Sequence, residues 1–294
     1  MFAVVHAESW ESARALSRRM SGWCFRGQSD ATWPLATTFE RKASQYSCLP
    51  RIFGNRERWI LREFRRRAHH YLPAPPGEDQ ILEWLALLQH HGGPSRLLDW
   101  TYSFYVAAYF AMESANTDAA VWAINLSHLN RQLEIRIAAA QKQTTRDLIL
   151  KRNSEIAERL LDSAESQPFV LHVEPHRLSE RMSIQQGTFL LAADIRSSFV
   201  VNLAAAWSID PATFSATLPV TLSATETDIV KLSDLRVMKV IIPRGRHGSA
   251  LTDLWRMNVH SGTLFSGLDG FARSLAHHLR IFDRDDEAME ILGL

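Results

Sequence analysis

Apolar residues recur along this chain at two spacings, and the spacing distinguishes helical from extended segments. Steps of three and four residues predict helices over residues 8–20, 55–71, 81–89, 103–113, 144–161 and 268–279. Short apolar runs bounded by Gly, Pro or polar residues predict strands over residues 23–25, 120–126, 169–173, 188–192 and 237–242. Helices and strands do not alternate regularly. The pattern therefore favours an α+β fold, with a mixed, mainly antiparallel sheet flanked by helices, over a doubly wound fold.

Two of the helical segments have distinctive faces. In the segment 55–71 one stripe is apolar, and the other faces carry six arginines: Arg56, Arg58, Arg62, Arg65, Arg66 and Arg67. Arginine stems can cover apolar surface, or the guanidinium groups can follow a nucleic-acid backbone, and both interpretations stay open. The segment 268–279 keeps its apolar residues on one side and is expected to pack that side against the core.

Composition narrows the class of protein. The chain has 294 residues, 46% of them hydrophobic, and no repeat or linker divides it, so we expect one soluble domain. Its formal net charge of +1 excludes attraction of the whole chain to DNA or an anionic membrane. Two cysteines without paired spacing predict neither a disulfide framework nor a metal site. No apolar stretch is long enough to span a bilayer and no secretion signal is present, so we expect a cytoplasmic protein without a membrane partner.

The first candidate site is Phe25-Arg26-Gly27-Gln28, at the end of a predicted strand. Glycine permits a turn there. An arginine beside that turn can direct its planar guanidinium into a cleft and bind phosphate or carboxylate with two hydrogen bonds. Alternatively, Arg26 holds the turn together by donating to backbone carbonyls.

The second candidate site is the run 88–101, Leu-Gln-His-His-Gly-Gly-Pro-Ser-Arg-Leu-Leu-Asp-Trp-Thr. We interpret it as a glycine-bearing loop between two apolar helices, in which polar side chains converge on a ligand. Asp99 or Thr101 can equally cap the following helix. The neighbouring His90 and His91 face different ways on any regular element, so they do not form a helical metal pair.

The third candidate site is Glu174-Pro175 together with the segment 181–189, in which Arg181 and then Gln185-Gln186-Gly187 come just before a predicted strand. Its two amides could hold a polar ligand at the sheet edge or cap exposed strand edges. The chain has no glycine-rich phosphate loop and no serine-hydrolase elbow. Cys24 is expected to pack in the core.

Together, these segments resemble the FRG domain, a bacterial and phage family named for the tripeptide that stands here as Phe25-Arg26-Gly27. The run 88–101 is similar, as are the segment 107–111, Arg181 with 185–189, and the tail from residue 240 to 270. The resemblance covers about residues 20–280 and implies a single FRG domain over 1–294.

A remoter resemblance, to arginine-specific ADP-ribosyltransferases, suggests a chemistry. Three elements of that family are similar to segments of this chain, in the same order. An aromatic-Arg-Gly tripeptide is similar to residues 25–27. A hydroxyl-bearing strand followed by an Ala-rich helix is similar to residues 101–111, and a loop-to-strand segment is similar to residues 185–191. The resemblance implies NAD as the substrate and no metal. The implied catalytic residues are Arg26, His91, Asp99 and Gln186. The implied NAD-binding residues are Arg26, Gly27, Gln28, Arg96, Thr101, Ser103 and Gln185. The family's catalytic Glu is replaced by Gln185 or Gln186, so Asp99 or Glu174 must supply a carboxylate if NAD is turned over.

Three functions follow as expectations. The first is an NAD-using ADP-ribosyltransferase or NAD glycohydrolase, a bacterial toxin or anti-phage effector that acts on a protein or nucleic-acid target and is held in check by an inhibitory partner protein. The second is a non-catalytic module that senses a nucleotide or a nucleic acid. The third is a nuclease that uses His91 and Asp99, for which no second carboxylate lies nearby in the sequence to hold two metal ions.

Overall fold

The computed structural model describes residues 2–137, 146–162, 167–214, 219–222 and 235–275. Within these ranges, strands from across the chain share one sheet. In chain order they are β1 (Phe2–Ala7), β2 (Trp23–Gln28), β3 (Leu97–Thr101), β4 (Ala119–Asn125), β5 (Val170–Val173), β6 (Gly187–Ala192), β7 (Pro219–Leu222) and β8 (Val237–Ile242).

Helices of four to seventeen residues surround the sheet in the described part of the chain. They are α1 (Trp10–Ser17), α2 (Thr38–Gln45), α3 (Phe53–Ala68), α4 (Ile81–His90), α5 (Phe104–Met112), α6 (Leu126–Arg136), α7 (Arg146–Asp162), α8 (Glu180–Ile184), α9 (Phe199–Ala205), α10 (His247–Arg256), α11 (Ser261–Leu264) and α12 (Leu268–Leu275). None of them is both long and apolar enough to cross a bilayer.

The order of strands across the sheet is β5-β6-β3-β2-β4-β8-β1-β7. Neighbours from β5 to β8 are antiparallel, and β1 runs parallel to both β8 and β7. The predicted α+β class, with a mainly antiparallel sheet flanked by helices, is confirmed. The sequence pattern missed β1, β3 and β7. Strand β3 was missed because residues 88–101 were interpreted as a loop.

The sheet is weakest between β2 and β3. These two strands share the single pair Phe25 and Thr101, whereas β2 pairs with β4 along its whole length and β3 pairs likewise with β6. In an antiparallel ladder the next pairs would join Arg26 to Trp100 and Gly27 to Asp99. Those pairs are not made, so the sheet divides here into a part containing β5, β6 and β3 and a part containing the other strands.

Two hydrophobic cores lie on the two faces of the sheet. Along β4, Val121 and Ala123 belong to the core beneath α1, α5 and α10, while Trp122 and Ile124 belong to the core beneath α3, α4, α7 and α9. This alternation follows from the two-residue period of a strand. Because both faces are covered, β4 is buried along almost its whole length, as its continuous apolar run requires.

The prediction that the last helix packs its apolar side against the core was wrong for the residues described. Leu268, Phe271 and Leu275 of α12 are each at least half exposed, whereas Gly270 and Ser274 are buried. A Cβ on Gly270 would lie 2.1 Å from the carbonyl oxygen of Phe265. The small residues of α12 therefore face the preceding segment around Phe265, because larger side chains would not permit such a close approach. Residues 276–279 of the predicted helix lie outside the described residues.

Candidate functional site

A cleft of about 290 Å³ opens where β2 and β3 separate. Its walls come from β2, β3 and α5 at the sheet and from the end of α4 and α8 above it. The aromatic side chains of Trp100, Phe110 and Phe189 belong to the apolar part of the cleft wall. The polar groups that line it are Arg26, Gln89, His90, Asp99, Thr101, Arg181 and Gln185.

Arg26 bridges the gap between the separated strands. Its Nη1 donates to the main-chain oxygen of Asp99 at 2.7 Å and lies 4.0 Å from the Asp99 carboxylate oxygen Oδ2. Its Nε is buried and has no hydrogen-bond partner among the described residues. Burial lowers the pKa of the Arg26 guanidinium and the Asp99 carboxylate opposes that shift, so the group stays charged near neutral pH. A positively charged group therefore lines the cleft, and one of its donors is buried without a partner among the described residues.

Gly27 does not form the predicted turn, because β2 continues through it to Gln28. A Cβ at this position would lie 2.1 Å from the Ala107 carbonyl oxygen and 2.5 Å from the Ala111 nitrogen. Glycine is needed here because helix α5 lies directly on the strand, with alanines at the contact. This packing brings α5 to the wall of the cleft.

Asp99 lies on β3, and a hydrogen bond from the Gln89 side chain fixes its carboxylate. The Gln89 Nε2 donates to Asp99 Oδ2 at 2.9 Å, while Gln89 Oε1 accepts from the Ser95 hydroxyl at 2.9 Å and from the Thr38 hydroxyl at 2.8 Å. The Asp99 side chain remains 58% exposed. A fixed but accessible carboxylate thus stands opposite Arg26.

Neither Asp99 nor Thr101 caps the helix that follows. Both lie in β3, and the cap is Ser103, whose hydroxyl accepts from the Val106 nitrogen at 3.3 Å. Ser103 does not line the cleft. The interpretation of residues 88–101 as one loop was therefore wrong for residues 97–101, which are held in the sheet.

The two glutamines before β6 differ in position. Gln185 lines the cleft; its carbonyl accepts from the Thr101 hydroxyl at 2.6 Å, and its side-chain Nε2 donates to the Leu264 carbonyl at 3.0 Å. Gln186 is exposed outside the cleft lining and has a φ of +49°, which makes the bend into the strand. Its carbonyl accepts from the Tyr102 nitrogen at 2.9 Å. The structure thus brings Gln185, and not Gln186, to the cleft.

Of the two adjacent histidines, His90 lines the cleft and His91 is exposed outside it. Burial lowers the pKa of His90, and the charges of His91 and Arg181 lower it further, against the effect of Asp99. His90 is therefore mainly neutral at pH 7 and able to accept or donate a proton. The sequence could not choose between the two rings, because their orientation depends on where α4 ends.

Arg96 and Gln28 were expected to bind the nucleotide, but both are buried away from the cleft. Arg96 forms an ion pair with Glu57, in which its Nε donates to both carboxylate oxygens at 2.8 and 3.0 Å, and its Nη1 donates to the Ala193 carbonyl at 3.0 Å. Gln28 joins the Pro34 carbonyl to the Trp122 indole nitrogen. These partners use both side chains to hold the fold.

Arg181 is a cleft residue that the predicted site residues did not include, although it belongs to the third sequence motif. Its guanidinium lies 4.7 Å from the centre of the Phe265 ring.

The other carboxylate considered from the sequence, Glu174, does not line the cleft and accepts a hydrogen bond from the Tyr102 hydroxyl. Among the described residues, Asp99 is the carboxylate that lines the cleft. No group of three His, Cys, Asp or Glu side chains within those residues is arranged to hold a metal ion.

Residues 21–120 match the family model of the FRG domain. The match includes β2, β3 and the arginine and carboxylate that face each other across the gap. Arg181 and Gln185, which complete the cleft, lie beyond the matched residues. Comparisons with curated proteins and with solved structures give no match.

Proposed function

We propose that this chain, which contains an FRG domain over residues 21–120, binds NAD in the cleft and breaks its nicotinamide–ribose bond. The observation that carries the proposal is Arg26, whose partly exposed guanidinium lines the cleft and faces Asp99 across the divided sheet. A planar guanidinium in a cleft wall suits a pyrophosphate oxygen.

The rest of the cleft supports a nucleotide. Arg181 provides a second cation, and Phe110, the least buried aromatic residue of the lining, offers apolar surface to a heterocyclic ring. A volume of about 290 Å³ lies at the lower end of the range of roughly 300–1,000 Å³ common to small-molecule sites. It accommodates one part of a dinucleotide, and the rest would extend through the cleft mouth.

Asp99 is the group best placed to act on the bond. As the bond breaks, its electron pair leaves with nicotinamide and positive charge develops on the ribose, which a carboxylate stabilises. Water or a target side chain then attacks the ribose carbon and loses a proton, which neutral His90 can accept. Attack by water gives a glycohydrolase, and attack by a target gives an ADP-ribosyltransferase.

The test is to incubate the purified chain with NAD and measure nicotinamide by chromatography and ADP-ribose additions by mass spectrometry. Asp99→Asn should lower nicotinamide release by a factor on the order of 100 or more while retaining NAD binding. Arg26→Met should lose binding itself. His91→Asn is the matched control, since it changes an exposed ring beside the cleft. The proposal fails if the chain neither releases nicotinamide nor binds NAD.

A second candidate, nucleotide binding without turnover, is favoured by one observation. By the resemblance in motif order, Gln185 or Gln186 stands in place of the carboxylate of ADP-ribosyltransferases, and the amide of Gln185, the one that lines the cleft, is already bonded to the Leu264 carbonyl. NAD or another nucleotide that shifts the melting temperature through Arg26, with no nicotinamide released, would favour this sensor role.

For the cellular role, we propose a cytoplasmic toxin or anti-phage effector that depletes NAD or modifies a target, with an inhibitory partner protein keeping it inactive. Expression in bacterial cells should then lower the NAD pool and growth. Asp99→Asn should restore both at an equal protein level. Undiminished toxicity of that variant would contradict the role.

A further inference from the structure

Helix α3 carries a concentration of positive charge that the cleft does not use. Its sixteen residues include six arginines and two glutamates. Glu57 is buried in the ion pair with Arg96, so it does not offset the exposed arginines. Glu63 lies within 4 Å of Arg62, Arg66 and Arg67 and is shared among all three. In a chain with a net charge of +1, this helix is a local basic surface.

This surface forms one wall of a groove of about 590 Å³, here called the basic groove. Arg58, Arg62, Arg65 and Arg66 line it from α3, and Pro75, Pro76, Glu78 and Trp84 line it from the opposite side. Arg65 is fixed there, because its Nη2 donates to the Glu78 carbonyl at 2.7 Å and its guanidinium lies 5.8 Å from the Trp84 ring centre. Two carboxylates line the groove: Glu57, which is paired with Arg96, and Glu78, for which the described residues provide no ion pair.

Exposed aromatic rings accompany the arginines. Trp59 is 51% exposed, and it falls on the same side of the helix as Arg62 and Arg66, three and seven residues further on. Tyr71, just beyond the end of α3, is 83% exposed. Large aromatic side chains are normally buried more than this, so these two rings are available to a partner.

We propose that the basic groove of α3 binds single-stranded nucleic acid. Arginines in a row neutralise phosphates, and exposed rings stack on unpaired bases, which is the combination that single-strand binding surfaces use. A duplex hides its base faces and would leave Trp59 and Tyr71 unused. The sixteen-residue helix is about 24 Å long and so can follow several nucleotides.

The binding test uses the whole chain with 5′-labelled 20-nucleotide oligo(dT) and oligo(U), followed by fluorescence anisotropy at several salt concentrations. Each phosphate contact contributes about −0.7 to the slope of log affinity against log salt on a single strand, so the four lining arginines predict a slope of roughly −3. Absence of binding at low salt overturns the proposal.

Matched variants locate the binding. The triple variant Arg58→Gln, Arg62→Gln, Arg66→Gln should weaken binding about tenfold or more and flatten the salt slope. The control triple variant Arg18→Gln, Arg131→Gln, Arg256→Gln removes the same charge from exposed positions elsewhere and should change binding less than twofold. Equal losses in the two variants would show general charge attraction and overturn the proposal.

The aromatic part is tested by Trp59→Ala, which should weaken single-strand binding about fivefold or more. Trp33→Ala is the control, because that ring is similarly exposed, at 52%, but is not on α3 and lines a different pocket. Equal affinity for duplex or polyphosphate, with no effect of Trp59→Ala, would identify a general polyanion surface instead. Thermal melting checks that each variant is folded, and nicotinamide release assays the cleft separately, so failure of one proposal leaves the other intact.

Discussion

Arg26 and Arg96 are both motif arginines of the same sheet, the first within β2 and the second immediately before β3, yet their guanidinium groups have opposite surroundings. Arg96 is buried, and its donors are used by the Glu57 carboxylate and the Ala193 carbonyl. Arg26 donates one hydrogen bond, from Nη1 to the Asp99 carbonyl, and its Nε has no partner in the described part of the chain. A satisfied guanidinium holds a structure together, whereas one with an unused donor can still bind a ligand.

The difference comes from the supply of acceptors. Glu57 approaches Arg96 from α3, far away in the sequence, so the partner becomes visible only when the chain is folded. Arg26 lies where β2 and β3 separate, and the acceptor it meets among the described residues is the Asp99 carbonyl of β3. The two motifs therefore have different roles, although both combine arginine with small residues.

The largest effect is expected at the buried pair. Glu57→Leu leaves the Arg96 guanidinium buried without its counter-charge and should lower the free energy of unfolding by about 3–5 kcal/mol. The double variant with Arg96→Met removes both charges and should be more stable than Glu57→Leu alone. Urea denaturation followed by circular dichroism measures both. A Glu57→Leu protein as stable as the wild type would show that Arg96 is not structural.

Gly27→Ala should have the next largest effect, on the scaffold that holds Arg26. The added methyl group would lie within 2.1 Å of the Ala107 carbonyl, so α5 must move away from β2. We expect a loss of about 1–3 kcal/mol in the free energy of unfolding. Gly245→Ala is the control, since a Cβ there meets no atom within 4 Å. Similar losses in both variants would contradict the close approach of α5.

The elements with the clearest patterns were predictable from the sequence, and the assembly of the cleft was not. Strand β4 is predictable from its continuous apolar run, and helix α5 from apolar residues on all its faces, because each element is buried on nearly every side. β3 was missed because glycines and polar residues precede its five-residue run. The sequence indicated Arg26, Asp99, Thr101 and Gln185 as site residues, and the structure brings them together. It could not place Arg96, because a distant glutamate determines its role.

Arg26→Met should have a small effect on stability and a large one on the cleft. The Asp99 carbonyl loses one hydrogen bond at an exposed site, which costs about 1 kcal/mol. Binding of NAD, measured by calorimetry or thermal shift, should be lost. Arg26→Lys should not restore it, because an ammonium group cannot reproduce the planar donor pair of a guanidinium. Full binding by Arg26→Met would remove the contrast with Arg96.

The smallest effect is expected from His90, and it depends on pH. Burial lowers the pKa of His90 in the folded chain, so below an unfolded-state pKa of about 6.5 the unfolded chain binds the proton more readily. The stability contributed by this ring is therefore complete above that pH and is lost as the pH falls through it. His90→Asn should make the melting temperature decline less between pH 7.5 and 5.5 than it does in the wild type. His91→Asn, which changes an exposed ring, should alter that decline less. If the two variants behave alike, His90 is no more buried at the cleft than its neighbour is at the surface.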